Sequence, residues 1–208
     1  MQDSPIVHIV DDDAAVRQSL AFLLSSAGLA VRLYDSATAF LAGLQEVKGG
    51  CLITDMRMPG MTGIELLHAL KANACGLPAI VITGHGDVAL AVEAMKAGAI
   101  DFIEKPFDQE AILNAVHAAL ERAGRSDSGE GPAIAAKLAS LSERERQVLD
   151  GLLAGHPNKT IAYDLGISPR TVEVYRANLM TKMAARSLSE LIRMAILADL
   201  ASAHDPSR

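Results

Sequence analysis

Residues 54–63 read TDMRMPGMTG, and the placing of one acid in this stretch decides how the first half of the chain folds. Just upstream, residues 51–54 (CLIT) form a short apolar run; Asp55 follows, and Pro59, Gly60 and Gly63 come soon after. An apolar run bounded by Pro and Gly predicts a buried strand that opens into a loop. A carboxylate at the end of such a strand is costly to bury unless it caps the loop or meets a cation. The surrounding sequence has to say which.

Working outward, β-rich apolar runs recur at residues 6–10 (IVHIV), 31–34 (VRLY), 79–83 (AIVIT) and 100–104 (IDFIE). Helical spacing fills the gaps between them. Val16, Leu20, Leu23 and Leu24 mark a helix over 14–27, with Gly28 as its stop. Ser36 caps a second around Phe40, Leu41 and Leu44, and residues 64–70 form a third. Asp87 is placed to cap Val88–Ala97, and Asp108 to cap Gln109–Arg122. Five strand–helix repeats predict a doubly wound α/β domain over 1–122, with a flavodoxin-like parallel sheet buried on both faces.

Residues 123–133 (AGRSDSGEGPA) carry no apolar period and read as the start of a linker, taken here as 123–140, within which 134–139 has some helical character. From residue 141 the grammar changes. Ser142 and Glu145 make a capping box, and helical patterns follow at 143–154, 158–165, 169–183 and 187–199. This predicts a small all-α domain over 141–208.

Charge divides the same way. Residues 1–121 hold 7 basic and 15 acidic side chains (−8), and residues 122–208 hold 12 and 10 (+2), which sum to the chain's −6. Overall acidity argues against indiscriminate polyanion binding, while the asymmetry suggests modules with different partners. No apolar run reaches membrane-spanning length and no leader pattern opens the sequence, so a cytoplasmic protein with no membrane contact is expected. Cys51 and Cys75 then read as free thiols.

In a parallel sheet, ligands bind at the carboxyl ends of the strands. Those ends carry Asp11, Asp12 and Asp13, then Asp55, Thr83, and the Glu104-Lys105-Pro106 run. Each alone has a modest reading: Asp13 is a helix cap, and a lone threonine or lysine is a strand end or a solvated charge. Together they form an oxygen-rich pocket suited to Mg²⁺, with an ammonium and a hydroxyl at hand for a phosphoryl group. Asp55 is a plausible acceptor in that chemistry. A Mg²⁺-dependent phosphatase with an aspartyl nucleophile is the rival reading. Such enzymes carry D-x-D-x-[TV] at the nucleophile, which neither Asp55-Met-Arg nor Asp11-Asp-Asp-Ala provides.

In the second module, a helix over 158–165, a turn of Gly166-Ile167-Ser168 and a helix opening at Pro169 make a helix-turn-helix pattern. Val172, Leu179 and Met183 define its buried face. Arg170, Glu173, Val174, Ala177 and Thr181 lie opposite, flanked by Arg176 and Lys182, with Lys159 on the preceding helix. A few reading side chains edged by cations suit a major-groove helix, although an amphipathic helix with solvated charges has the same spacing.

IVDDD, TDMRMPGMTG, VITGHGD and DFIEKPF, in this order, resemble the receiver domain of two-component response regulators. The resemblance implies that Asp55 is phosphorylated by a sensor histidine kinase, that Asp11, Asp12, Asp55 and the Arg57 backbone carbonyl hold Mg²⁺, and that Thr83 and Lys105 bind the phosphoryl group. It implies that Phe102 changes rotamer with Thr83, and that phosphorylation drives homodimerisation through the 87–122 face. By the same resemblance Arg57 and His85 line the path of the hydrolytic water; as bare sequence they are equally well surface residues at a loop mouth. Lys105-Pro106 resembles a frequent cis bond of the family. Residues 141–197 are similar to LuxR/NarL-type DNA-binding domains. This implies base contacts from Arg170, Thr171, Glu173, Val174, Ala177 and Asn178, while the flanking cations Arg176 and Lys182, with Lys159, are placed to meet phosphates. The pairing of the two modules is similar to activators of nitrogen-fixation genes. It implies an oxygen-sensing kinase as partner, promoter DNA and RNA polymerase as targets, and no enzyme activity of its own.

Overall fold

The computed structural model describes residues 5–84, 88–123 and 131–203. Five parallel strands, β1 (Ile6–Val10), β2 (Ala30–Tyr34), β3 (Cys51–Asp55), β4 (Ala79–Thr83) and β5 (Asp101–Glu104), form one sheet in the order β2-β1-β3-β4-β5. The order changes direction at β1, so the carboxyl ends of β1 and β3 open side by side, where a doubly wound sheet places its ligand site. The helices are α1 (Ala14–Ser26), α2 (Ala37–Ala42), α3 (Gly63–Ala72), α4 (Val88–Ala97) and α5 (Gln109–Arg122). A 3-10 turn, Leu44–Glu46, ends the segment that carries α2.

Every residue of β3 and β4 is buried, as strands covered on both faces must be. Val7, Ile9, Cys51, Ile53, Ile80 and Ile82 point to one face and pack with Leu20 and Leu24 of α1 and Ile112 and Val116 of α5. Cys51 and Cys75 are free, and burial pushes the Cys51 thiol up to about 12. The caps read from sequence form: the Asp13 carboxylate accepts from the amides of Ala15 and Val16, Ser36 Oγ from Ala39, and the Asp108 carboxylate from Glu110. The third helix starts earlier than its apolar pattern, because Thr62 and Glu65 close a capping box ahead of it. Asp87 and His85 lie outside the described residues.

The remaining helices are α6 (Gly131–Ala139), α7 (Glu143–Leu153), α8 (Asn158–Leu165), α9 (Pro169–Met183) and α10 (Leu188–Ala203). Their core joins Val148, Leu149, Leu152, Ile161, Val172, Leu179, Met183 and Leu191. The helical character read at 134–139 is present, within a longer helix that starts at Gly131. Half of the expected 123–140 linker is α6, because Ile134 is buried in this helical core, 4% exposed, and the alanines around it permit a helix. The described residues divide into two compact units, one of 5–84 and 97–123 and another of 88–96 and 131–203. Among the described residues no helix is long and apolar enough to cross a membrane.

Candidate functional site: an acidic pocket and a recognition helix

The β1 strand delivers Asp11 to the loop before α1, where its side chain is 3% exposed. Its Oδ1 accepts from the Asp13 amide at 2.8 Å and its Oδ2 from Lys105 Nζ at 2.9 Å. Asp55, the last residue of β3, has its side chain 10% exposed. Its Oδ1 accepts from Lys105 Nζ at 2.6 Å and its Oδ2 from the Arg57 amide at 2.6 Å. Both answers to the buried-carboxylate question therefore hold at once: one oxygen caps the loop and the other meets a cation. Lys105 reaches both acids from the loop after β5, across a cis Lys105–Pro106 bond, and its amide donates to the Thr83 carbonyl at 2.7 Å. Thr83 ends β4 fully buried, and Phe102 is half-buried on β5 opposite Val81.

Burial pushes the Asp11 carboxyl above its ordinary value against the pull of Lys105 and the Asp13 amide, with a lesser push from the negative charge of Asp55. Burial also opposes the charge on Lys105, but its two carboxylate partners outweigh this and hold its pKa up. One ammonium serves two carboxylates, so two acids face a single positive charge. A donor set of oxygens short of positive charge fits a hard divalent cation completed by water and phosphate oxygens. Asp12 is exposed, and among the described residues no three carboxylate, imidazole or thiol side chains gather into a metal nest. Asp13 serves as the cap of α1.

Two contributors escaped the sequence reading. Arg17 on α1 donates to the Asp11 backbone carbonyl at 2.6 Å, an interaction that no local spacing announces. Gly63 begins α3 against the backbone of Asp55, and a Cβ there would run into the Asp55 carbonyl. The signal was available: glycine is a poor choice for a helix start that already has Thr62 as its cap, unless something lies close by.

In the helical unit, Gly166 takes a left-handed turn (φ 65°) and Ser168 caps α9, with Pro169 at its first turn. Val172, Leu179 and Met183 are fully buried. Arg170, Glu173, Val174, Ala177 and Asn178 are exposed on α9, Val174 to 55%, and Lys159 is exposed on α8. The other predicted contacts have partners within the unit. The Thr171 hydroxyl is 2.8 Å from that of Ser168, Arg176 Nη1 donates to Asn158 Oδ1 at 2.9 Å, and Lys182 Nζ donates to Glu145 Oε2 at 2.7 Å.

A parallel α/β sheet with an acid–lysine pocket at its carboxyl edge, followed by a helix-turn-helix unit, defines a class. The chain belongs to the response regulators: residues 7–117 match the response regulator receiver domain and residues 139–195 match the bacterial regulatory proteins of the luxR family. Within that class it is 59% identical to the transcriptional regulatory protein FixJ of Azorhizobium caulinodans, over 99% of this chain and 98% of that one. It is 58% identical to FixJ of Rhizobium meliloti over 91% and 94% of the two chains. Among solved structures, full-length FixJ from B. japonicum aligns with a TM-score of 0.56 at 52% identity, over 94% of this chain and 98% of that one. The receiver domain implies a sensor kinase as partner, and the luxR-family domain implies DNA binding.

Proposed function

We propose that this response regulator is a transcriptional activator switched by phosphorylation of Asp55. The observation that supports this most is the bridge from Lys105 to both Asp11 and Asp55 at the carboxyl edge of the sheet. A carboxylate oxygen of Asp55 attacks the phosphorus of the kinase phosphohistidine; a P–O bond forms, the P–N bond breaks, and the imidazole leaves. Lys105 is already in position to pair with the new phosphoryl oxygens, and the Thr83 hydroxyl donates to them. Asp11, Asp12, Asp55 and the Arg57 carbonyl would hold Mg²⁺, which when bound would further neutralise those oxygens. Thr83 turns toward the phosphoryl group and the half-buried Phe102 repacks with it. Phe102 lacks a hydroxyl, so this step is one of packing alone.

In this reading the kinase is a FixL-like sensor histidine kinase, the protein works in the cytoplasm without enzyme activity of its own, and the promoters it activates with RNA polymerase serve nitrogen fixation. The 54–59% identity to FixJ proteins supports this choice of pathway. Base reading falls to the exposed Arg170, Glu173, Val174 and Asn178, with Lys159 on phosphate. Val174 suits a thymine methyl and Glu173 a cytosine amino group. Incubation with acetyl phosphate and Mg²⁺, followed by intact mass, tests the acceptor. The wild type is expected to gain one phosphoryl group and Asp55→Asn none; an adduct of equal yield on Asp55→Asn would move the acceptor elsewhere.

A further inference from the structure

We infer that Lys182 and Glu145 are positioning residues that set the recognition helix for base reading, and that Lys182 is not a phosphate ligand. The inference rests on the DNA-binding reading of α9 and deepens it. Glu145 lies in the first turn of α7, yet only 5% of its side chain is exposed. A buried carboxylate needs its charge met, and here Oε2 accepts from the Ser142 amide at 2.7 Å, the Ser142 hydroxyl at 2.8 Å and Lys182 Nζ at 2.7 Å. The Lys182 hydrogen bond, followed by those from Ser142, holds the Glu145 carboxyl down at about 2.

One oxygen therefore joins the start of α7 to the last turn of α9. A second clamp acts at the same end, where Lys137 Nζ of α6 donates to the Met183 carbonyl at 2.9 Å. Nearer the middle of α9, Arg176 holds Asn158 at the start of α8. Apolar packing of Val172, Leu179 and Met183 seats α9 on the core but is itself non-directional. Base-reading side chains need placement within about 0.5 Å, which directional, charge-assisted bonds provide. Moving the ammonium out to a phosphate would leave the buried Glu145 charge facing only the Ser142 donors, so the pair holds Lys182 against α7, where its charge is already matched.

The test reads the sign and the salt dependence of DNA binding by the full chain, treated with acetyl phosphate and Mg²⁺. The probe is a duplex that the wild type selects from a random-sequence pool, measured by anisotropy at several salt concentrations. All variants are compared where circular dichroism shows them fully folded. Glu145→Gln keeps the cap acceptor and removes the charge. If the carboxylate served no positioning role, deleting it from a polyanion-binding surface would leave binding unchanged or tighten it. The positioning role predicts the opposite: Glu145→Gln and Lys182→Gln each weaken binding about tenfold. The double variant is no weaker than either single, Lys182→Arg recovers most of the affinity, and the salt slope is unchanged. Were Lys182 bound to a phosphate, Lys182→Gln would lower that slope by about 0.9 per site. Unchanged or tighter binding by Glu145→Gln, or a reduced slope for Lys182→Gln, overturns the inference. If Glu145→Gln does not fold, the slope of Lys182→Gln and the recovery by Lys182→Arg decide it alone. A wild type that selects no duplex overturns the DNA-binding reading itself.

Discussion

At Gly63 the reacting carboxylate and the backbone behind it meet. A methyl group added there has no room beside the Asp55 carbonyl, so the loop or the strand end must move. Gly63→Ala is expected to cost about 1–3 kcal/mol, as overpacking does. It should also slow acetyl-phosphate labelling of Asp55 several-fold while leaving the fold intact by circular dichroism; labelling at the wild-type rate would show that the close approach does not position the acid. His8 poses a different problem. It is 2% exposed beside Tyr34 and Phe40, with Nδ1 at 3.2 Å from the Tyr34 hydroxyl and Nε2 without an aligned partner. Burial, with the nearby positive charge of Arg32, lowers its pKa below the ordinary 6.5, against a smaller opposing pull from the Gly49 backbone. The unfolded chain then binds the proton more readily, so stability falls as pH drops below about 6.5 and is recovered above it. Arg32 is itself paired with Glu46 at the surface. Replacing His8 with Leu should flatten this part of the pH–stability curve for the sheet unit, measured by urea unfolding at a series of pH values.

Among the elements, α6 is the one whose status changes a prediction. As linker, its residues would tolerate substitution within about 0.5 kcal/mol. As a helix with Ile134 in the core, it makes Ile134→Ala a cavity substitution expected to cost about 2–5 kcal/mol. Unfolding of the full-length chain followed by circular dichroism should show an earlier transition for this variant, and no shift would return 131–139 to the linker. Element boundaries were legible wherever a cap announces them. Asp13, Ser36, Asp108, Ser142 and Ser168 each start a helix within a residue or two of where their side chains predict. The α6 helix lacks such a signal. It opens Gly-Pro, and only its alanine-rich 134–139 stretch reads as helical from the sequence, while burial of Ile134 ties it to the core.

Over the whole molecule, the acidic first part and the basic second part fit a switch whose input is phosphate chemistry and whose output is DNA. We expect acetyl phosphate and Mg²⁺ to convert the chain to a dimer through the 87–122 face, seen as earlier elution in size exclusion with light scattering. Asp55→Asn should remain at the unphosphorylated mass. Two recognition helices on one duplex would then bind far more tightly than one. A labelled protein that stays monomeric would require another means of control.

The sequence by itself determined the parallel sheet, its strand ends and the helix-turn-helix. Apolar runs, periodicity and capping residues are local signals, and a strand end places Asp11, Asp55, Thr83 and Lys105 at one edge whatever the loops do. Only the tertiary structure decided how charges are shared. Lys105 stands 94 residues from Asp11 and 50 from Asp55, and Lys182 stands 37 from Glu145. Spacing along a helix could mark Lys182 and Arg176 as edge cations but could not show that each already has a partner. Pairing depends on which side chains converge in space, and a buried acid takes the nearest cation, however distant in sequence.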